Sequence, residues 1–222
     1  MKKLFVLLIG ISLHASLFTV SAQKNEPFST YTFSASTVHT LESTLINGSI
    51  TVTGGTGSEA VVEMYVSGNS SKTRKWSDEE IKRYLEENYT IEIKVDNEKL
   101  LAVAKPKNGG KKGKEQFNIS FKIAVPGQIN THLRTTNGSI QISNLTGSQN
   151  FQTVNGSLKI DHISGKISGS TVNGSITVTG SKDDINLSTV NGGITAKDCD
   201  GKVVLNTVNG RVKRENAGKS CM

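Results

Sequence analysis

The sequence predicts an all-β protein: a parallel β-solenoid with 18-residue coils, preceded by a β-rich N-terminal part carrying one short helical insertion. Three observations support this. Asn-Gly dipeptides recur at Asn137-Gly138, Asn155-Gly156, Asn173-Gly174, Asn191-Gly192 and Asn209-Gly210, always 18 residues apart, and internal repetition at a fixed length marks a stacked array. Within each interval apolar residues recur at the period of two that places them on one face of a strand. Composition agrees: of 222 residues 22 are glycine, 3 are proline and 5% are aromatic, as suits short strands joined by tight turns. With 35% hydrophobic and 20% charged residues, the chain is neither a disordered tail nor a membrane bundle.

Residues 1–22 read as a signal peptide. Lys2 and Lys3 form a positive start, Leu4 to Leu13 an apolar run, and Val20-Ser21-Ala22 a small-residue cleavage pattern. The apolar run is short of the ~20 residues a spanning helix needs. No cysteine follows it to take a lipid, and no later stretch is apolar enough to cross a bilayer. The mature chain is therefore expected to be exported, to the periplasm or the cell surface, without a transmembrane segment. Its net charge falls from +7 to +5 as Lys2 and Lys3 leave.

Residues 23–126 form the N-terminal part. Strands are expected at Tyr31 to Phe33, Val61 to Val66, Thr90 to Val95, Leu100 to Ala104 and Phe117 to Val125, the last closed by Pro126-Gly127. Between them, 77–88 reads as a helix. Ser77 and Glu80 form a capping box, and Ile81, Tyr84 and Leu85 share a face. The motif Asn47-Gly48-Ser49-Ile50-Thr51-Val52 occurs once here, 90 residues before Asn137. The residues between do not repeat, so this offset is read as accidental. The N-terminal part is expected to cover the open end of the rod, because an exposed strand edge recruits other chains.

Residues 127–222 hold the repeats. The fourth position of each unit is apolar (Ile140, Leu158, Ile176, Ile194, Val212), as is the sixth (Ile142, Ile160, Val178, Ala196) until Arg214 breaks the rule. A second pair sits at the thirteenth and fifteenth positions, clearest as Ile185 with Leu187 and Val203 with Leu205. Asn-Gly suits one turn because both residues tolerate positive φ. Gly147, Gly165 and Gly201 serve the other, while the third unit carries Asp183 there and Gly180 earlier, a difference that a small shift of the turn would absorb. Asn-Gly is also a hairpin signal, but hairpin loops can drift in length whereas stacked coils cannot. Stacking would further align Thr153, Thr171, Thr189 and Thr207 into a ladder, as well as Val154, Val172, Val190 and Val208, and the asparagines. Four coils and a remnant at ~4.8 Å per strand give a rod about 20–25 Å long. A left-handed hexapeptide helix fails, since positions ten and sixteen are Thr146, Gln152, Ser164 and Ser170. A calcium-binding roll fails for want of a regular aspartate.

The run FKIAVPGQINTHLRTTNGSIQISNLTG, followed by recurrent Thr-Val-Asn-Gly-Ser-Ile, resembles the bacterial putative-adhesin domains with β-strand repeats, a family of unknown function. The resemblance covers about residues 38–214. It implies an exported, right-handed β-solenoid and brings no catalytic residues with it. The helical insertion and the lysine-rich segment are less typical of that family.

Candidate chemistry is sparse. Cys199 and Cys221 can form a disulfide in an oxidising compartment or remain thiols, and two thiols without a neighbouring histidine do not make a metal site. His39, His132 and His162 lie in no catalytic spacing, and Asp161 and His162, adjacent on a strand, are expected on opposite faces. Gly218-Lys219-Ser220 lacks the first glycine of a phosphate loop. No catalytic residue, cofactor or metal is expected. Lys105, Lys107, Lys111, Lys112 and Lys114 crowd one acid-free segment, a candidate for anionic envelope polymers or lipid head groups, or simply a solvated loop. Nucleic acid is not expected, for lack of interleaved aromatics. Trp76, Tyr84 and Tyr89 are available for sugar stacking or for packing the helix. The leading expectation is a non-enzymatic envelope or surface protein, an adhesin or interaction scaffold whose partner is an anionic envelope polymer or another surface protein. The alternatives are a periplasmic binding or sensory module using 67–114, and a carbohydrate-active enzyme.

Overall fold

The computed structural model describes residues 26–107 and 117–215; the leader expected over 1–22 lies outside them. The chain is mostly β. It begins with β1 (Ser29–Ser34), β2 (Thr40–Leu45), β3 (Ile50–Gly55) and β4 (Glu59–Gly68), followed by helix α1 (Asp78–Asn88). Strands β5 (Tyr89–Asp96), β6 (Lys99–Pro106), β7 (Phe117–Pro126) and β8 (Asn130–Asn137) come next. The repeats then alternate four-residue and seven-residue strands: β9 (Ile140–Ser143), β10 (Gln149–Asn155), β11 (Leu158–Asp161), β12 (Ile167–Asn173), β13 (Ile176–Thr179), β14 (Ile185–Asn191), β15 (Ile194–Lys197), β16 (Val203–Asn209) and β17 (Val212–Glu215).

Among the described residues these strands form two open sheets. The first runs β1-β4-β7-β3-β9-β11-β13-β15-β17 and the second β16-β14-β12-β10-β8-β2-β6-β5. The repeat strands pair in parallel at an offset of 18: Leu158 lies opposite Ile140 and Ile176, and Gln149 opposite Thr131 and Ile167. Successive units therefore stack on one another and do not fold as antiparallel hairpins. No helix among the described residues is long and apolar enough to cross a membrane.

The core lies between the sheets. One wall is the fourth and sixth positions, Ile140 through Ala196, all buried; the other includes Phe151, Ile167, Ile185 and Leu187. Sizes are matched between layers. A Cβ on Gly169 would lie 2.1 Å from Cε2 of Phe151, so the phenylalanine ring occupies the space that a side chain on the next layer would need.

The isolated Asn47 motif belongs to this stack, so reading its offset as accidental is corrected. Ile50 pairs with Ile140 and Val52 with Ile142 in parallel, and Asn47 bridges to Asn137. β2 and β3 thus make the layer before β8 and β9, and β6 and β7 make the layer before that. The chain leaves the stack after β3 and returns through β6, so spatial order and chain order part company here. Beyond β6 and β7 the pairing turns antiparallel, with β5 on β6, β4 on β7 and β1 on β4.

Helix α1 forms where its sequence directs. The Ser77 hydroxyl accepts from the Glu80 amide at 3.3 Å, and the Ser77 amide donates to the Glu80 carboxylate at 2.7 Å. This reciprocal cap satisfies two helix-end donors. Leu85 is buried, and Trp76, Tyr84, Tyr89 and Phe117 form one aromatic cluster with neighbouring centroids 5.4–6.4 Å apart. These aromatics pack the helix on the sheet.

The turns differ from the expectation in their reason. No asparagine of the Asn-Gly pairs has positive φ, and of their glycines only Gly48 and Gly192 do; the recurrent left-handed residues are instead Asn144, His162, Gly180 and Asp198, one per unit at an 18-residue spacing. A second left-handed position follows at Gly147, Gly165, Asp183 and Gly201. The third unit therefore does not shift its turn: Asp183 takes the left-handed conformation itself, with φ 71°, as a short polar residue can at some cost. The glycine of each Asn-Gly serves close approach. A Cβ on Gly174 would lie 2.0 Å from the carbonyl oxygen of Gly156 in the preceding layer.

At the end of the described residues Val203 and Leu205 are only half-buried, with no further layer among the described residues. Arg214, the exception to the apolar rule, donates from Nη2 to the Val203 carbonyl at 2.7 Å. Lys213, hydrogen-bonded to Glu215, holds that carboxyl below its ordinary range.

Three stability outcomes are expected from thermal unfolding. Gly174→Ala forces backbone apart and should cost about 2–3 kcal/mol, lowering Tm by about 5–10 °C. Gly169→Ala should cost about 1–3 kcal/mol and be largely restored by Phe151→Leu in the double variant. Asp183→Gly should raise Tm by about 2–4 °C as the left-handed cost is relieved.

Candidate functional site

The Asn-Gly edge and the outer face of the second sheet use the same residue types in opposite ways. Along the Asn-Gly edge every amide is paired. Asn137 Nδ2 donates to Asn47 Oδ1 at 2.7 Å, and Asn155, Asn173, Asn191 and Asn209 each donate to the preceding asparagine at 2.8 Å. Beside this ladder Thr135, Thr153, Thr171, Thr189 and Thr207 donate their hydroxyls to the carbonyls of Gly48, Gly138, Gly156, Gly174 and Gly192 at 2.8–3.0 Å. The residues Asn137, Gly138, Asn155, Gly156, Asn173, Gly174, Asn191, Gly192, Asn209 and Gly210 therefore line a hydrogen-bonded structural edge.

The outer face of the second sheet is arranged differently. Strand alternation sends every second residue outward, and parallel pairing brings those residues into rows across β8, β10, β12 and β14. One row contains Asn150, Ser168 and Asn186; the next contains Arg134, Gln152, Ser170 and Ser188. The short serines of β12 sit between the longer amides of β10 and β14, leaving a polar groove of about 380 Å³ lined by these side chains. Their backbones are paired within the sheet, but among the described residues none of the seven side chains makes a hydrogen bond or ion pair with the protein. Val154, Val172 and Val190, 38–39% exposed, continue the same strands beside the groove.

This face was not singled out from the sequence, although its signal is present. The polar residues between the buried positions thirteen, fifteen and seventeen of each unit are the groove. The 18-residue period already aligns Arg134, Gln152, Ser170 and Ser188 in one row and Asn150, Ser168 and Asn186 in another; what the sequence does not mark is that these side chains find no partner in the protein.

The residues that were singled out are dispersed. Lys105 is exposed on β6, and Lys107 Nζ donates to the Glu86 carbonyl in the last turns of α1 at 2.5 Å, where a cation is favoured. Lys111, Lys112 and Lys114 lie outside the described residues. Cys199 is buried, its Sγ 3.4 Å from the Lys197 carbonyl oxygen; Cys221 lies outside the described residues. Asp161 and His162 do meet, at 3.0 Å between Oδ2 and Nδ1, contrary to the expectation of opposite faces. His162 has left the strand for the left-handed turn position, which swings its ring back beside Asp161. His162 is exposed on that turn and Asp161 half-buried at the end of β11, on the first sheet. His39 pairs with Glu98 at 3.5 Å. Among the described residues no three His, Cys, Asp or Glu side chains are arranged to hold a metal ion.

Hydrogen bonds of about 1 kcal/mol each make the edge testable. Asn173→Ala removes two ladder bonds and should lower stability by about 1–2 kcal/mol, whereas Asn209→Ala, at the last rung, removes one and should cost about half as much. Urea midpoints of the two variants would check this.

No protein-family profile matches the chain, and no curated protein matches it. The family resemblance of the repeats thus stands on the motif alone. A solved structure described as a putative cell adhesion protein from Clostridium sporogenes is similar to this chain at a TM-score of 0.44 and 11% identity, over 85% of this chain and 98% of that one. A likeness at that distance transfers no activity.

Proposed function

We propose that the protein is a right-handed β-solenoid with 18-residue coils, exported to the envelope or cell surface, that works without catalysis as an adhesin or interaction scaffold. The observation that supports this reading most is the contrast between the two polar surfaces. The Asn-Gly edge satisfies its amides and hydroxyls internally and so holds the layers together. The groove on the second sheet presents the same chemistry with its hydrogen-bonding capacity directed outward, on a rigid sheet, which is how a binding surface is best held.

Binding is favoured over turnover by the groove's chemistry. Its lining offers amides, hydroxyls and the Arg134 guanidinium, but no carboxylate, imidazole or thiol that would serve as general acid, base or nucleophile. Export is supported by the leader sequence over 1–22.

The test is protease accessibility of a tagged copy on intact cells and on cells with a permeabilised outer membrane. Cleavage on intact cells is the expected result for a surface adhesin. Protection until permeabilisation would favour a periplasmic scaffold, and recovery of an uncleaved leader in the cytoplasm would overturn the proposal.

A further inference from the structure

We infer that the groove on the second sheet binds an acidic oligosaccharide, one whose sugar units carry carboxylates. The inference deepens the scaffold reading and rests on it. Three properties of the groove lead to this ligand class.

The first is the balance of donors and acceptors. Asn150, Gln152 and Asn186 offer both an amide N–H and a carbonyl oxygen, and the serines of β12 and β14 offer hydroxyls that act either way. A ligand rich in hydroxyl groups, each both donor and acceptor, matches this set. A peptide would ask for apolar side-chain pockets; the one large apolar residue lining the groove, Phe151, is buried, and the exposed valine row beside it suits the C–H edges of sugar rings.

The second is charge. Arg134 is exposed at one end of the groove and has no carboxylate partner among the described residues. The acid on the neighbouring strand, Glu42, sits opposite His132 and is held by Lys99 at 3.3 Å. The guanidinium is therefore available to a ligand carboxylate, which it can bind in a forked geometry.

The third is extent. From β8 to β14 the groove crosses three strand spacings, about 14 Å, longer than a single sugar ring. Its volume of about 380 Å³ falls at the small end of ligand sites, which run from about 300 to 1,000 Å³. Together these dimensions describe a shallow track along which a short run of sugar units would lie across the strands.

The test uses the full chain purified after export, titrated by calorimetry with trimeric and tetrameric uronates (galacturonate, glucuronate and mannuronate) and with their methyl esters, in which the charge is removed and the sugar kept. At least one uronate should bind, and its methyl ester should bind at least about tenfold more weakly, the loss of one charge-assisted contact. Arg134→Gln should weaken the acid by a similar factor and leave the ester unchanged. Ser170→Tyr fills the groove floor and should abolish binding of both. Thr177→Tyr places the same ring on the outer face of the first sheet and should leave binding unchanged. All three positions face solvent, and a melting temperature close to that of the parent protein confirms that each variant is folded. Absence of uronate binding, equal binding of acid and ester, or equal binding by the Ser170→Tyr and Thr177→Tyr variants would overturn the inference. Surface exposure in the protease experiment combined with any of those results would remove the ligand assignment and leave the scaffold reading standing.

Discussion

Close backbone contact at the Asn-Gly bends is the constraint on which the rest of the stack depends. The amide of each bend glycine donates to the carbonyl of the asparagine one layer on, at 2.9–3.1 Å from Gly48 through Gly192. At that spacing a Cβ would fall about 2 Å from the glycine carbonyl of the preceding layer for Gly138, Gly156 and Gly174, inside any tolerable contact. Once the backbones approach this closely, the asparagine amides are in reach of one another and the threonine hydroxyls in reach of the glycine carbonyls. The ladder is therefore a consequence of the close approach as well as its reinforcement. A unit of any other length would place a different residue at the bend and lose all three sets of contacts together.

The period is nonetheless interrupted at the N-terminal end without damage to the stack. β2 and β3 satisfy the bend contacts, since Gly48 donates to Asn137 and Asn137 Nδ2 donates to Asn47. The next layer outward, β6 and β7, meets that bend with Ile119, whose amide donates to the Asn47 carbonyl at 2.9 Å. Beyond it β4, β1 and β5 run antiparallel, and α1 with its aromatic cluster packs beside β5. Strands that do not share the period can end the stack because only β4 and β5 meet it, each along one side, and only β1 lies beyond them. At the opposite end the last described layer is half-buried and Arg214 turns onto the Val203 carbonyl.

Parallel stacking also explains how a repetitive scaffold acquires a local surface. The buried positions vary little, since every layer must fill the same cross-section, and where they do vary they compensate, as with Phe151 against Gly169. Outward positions are free of that requirement. They carry Arg134 in one layer, Gln152 in the next and serines in the two after, and this run of differing lengths makes the groove. A polar surface on a rigid sheet arises here from side-chain length alone, without long loops.

Much of the local structure was legible in the sequence. The alternation of Ile140 and Ile142, repeated at 18-residue spacing, marked both the strands and the buried face, because burial follows directly from the two-residue period of the backbone. Ser77 and Glu80 fixed the start of α1, because a capping box is satisfied within four residues. What the tertiary structure decided was which segments become neighbours. It placed Asn47 in the stack across 90 residues and made close approach the common requirement of the Asn-Gly glycines, with positive φ only at Gly48 and Gly192. It brought His162 to Asp161 through a left-handed turn, and it left the side chains of Arg134, Gln152 and Ser170, which the period aligns, without partners among the described residues. Propensity and periodicity act over a few residues and are written locally. Strand pairing is chosen among all segments of the chain by the packing of the whole, so the groove exists only once that choice is made.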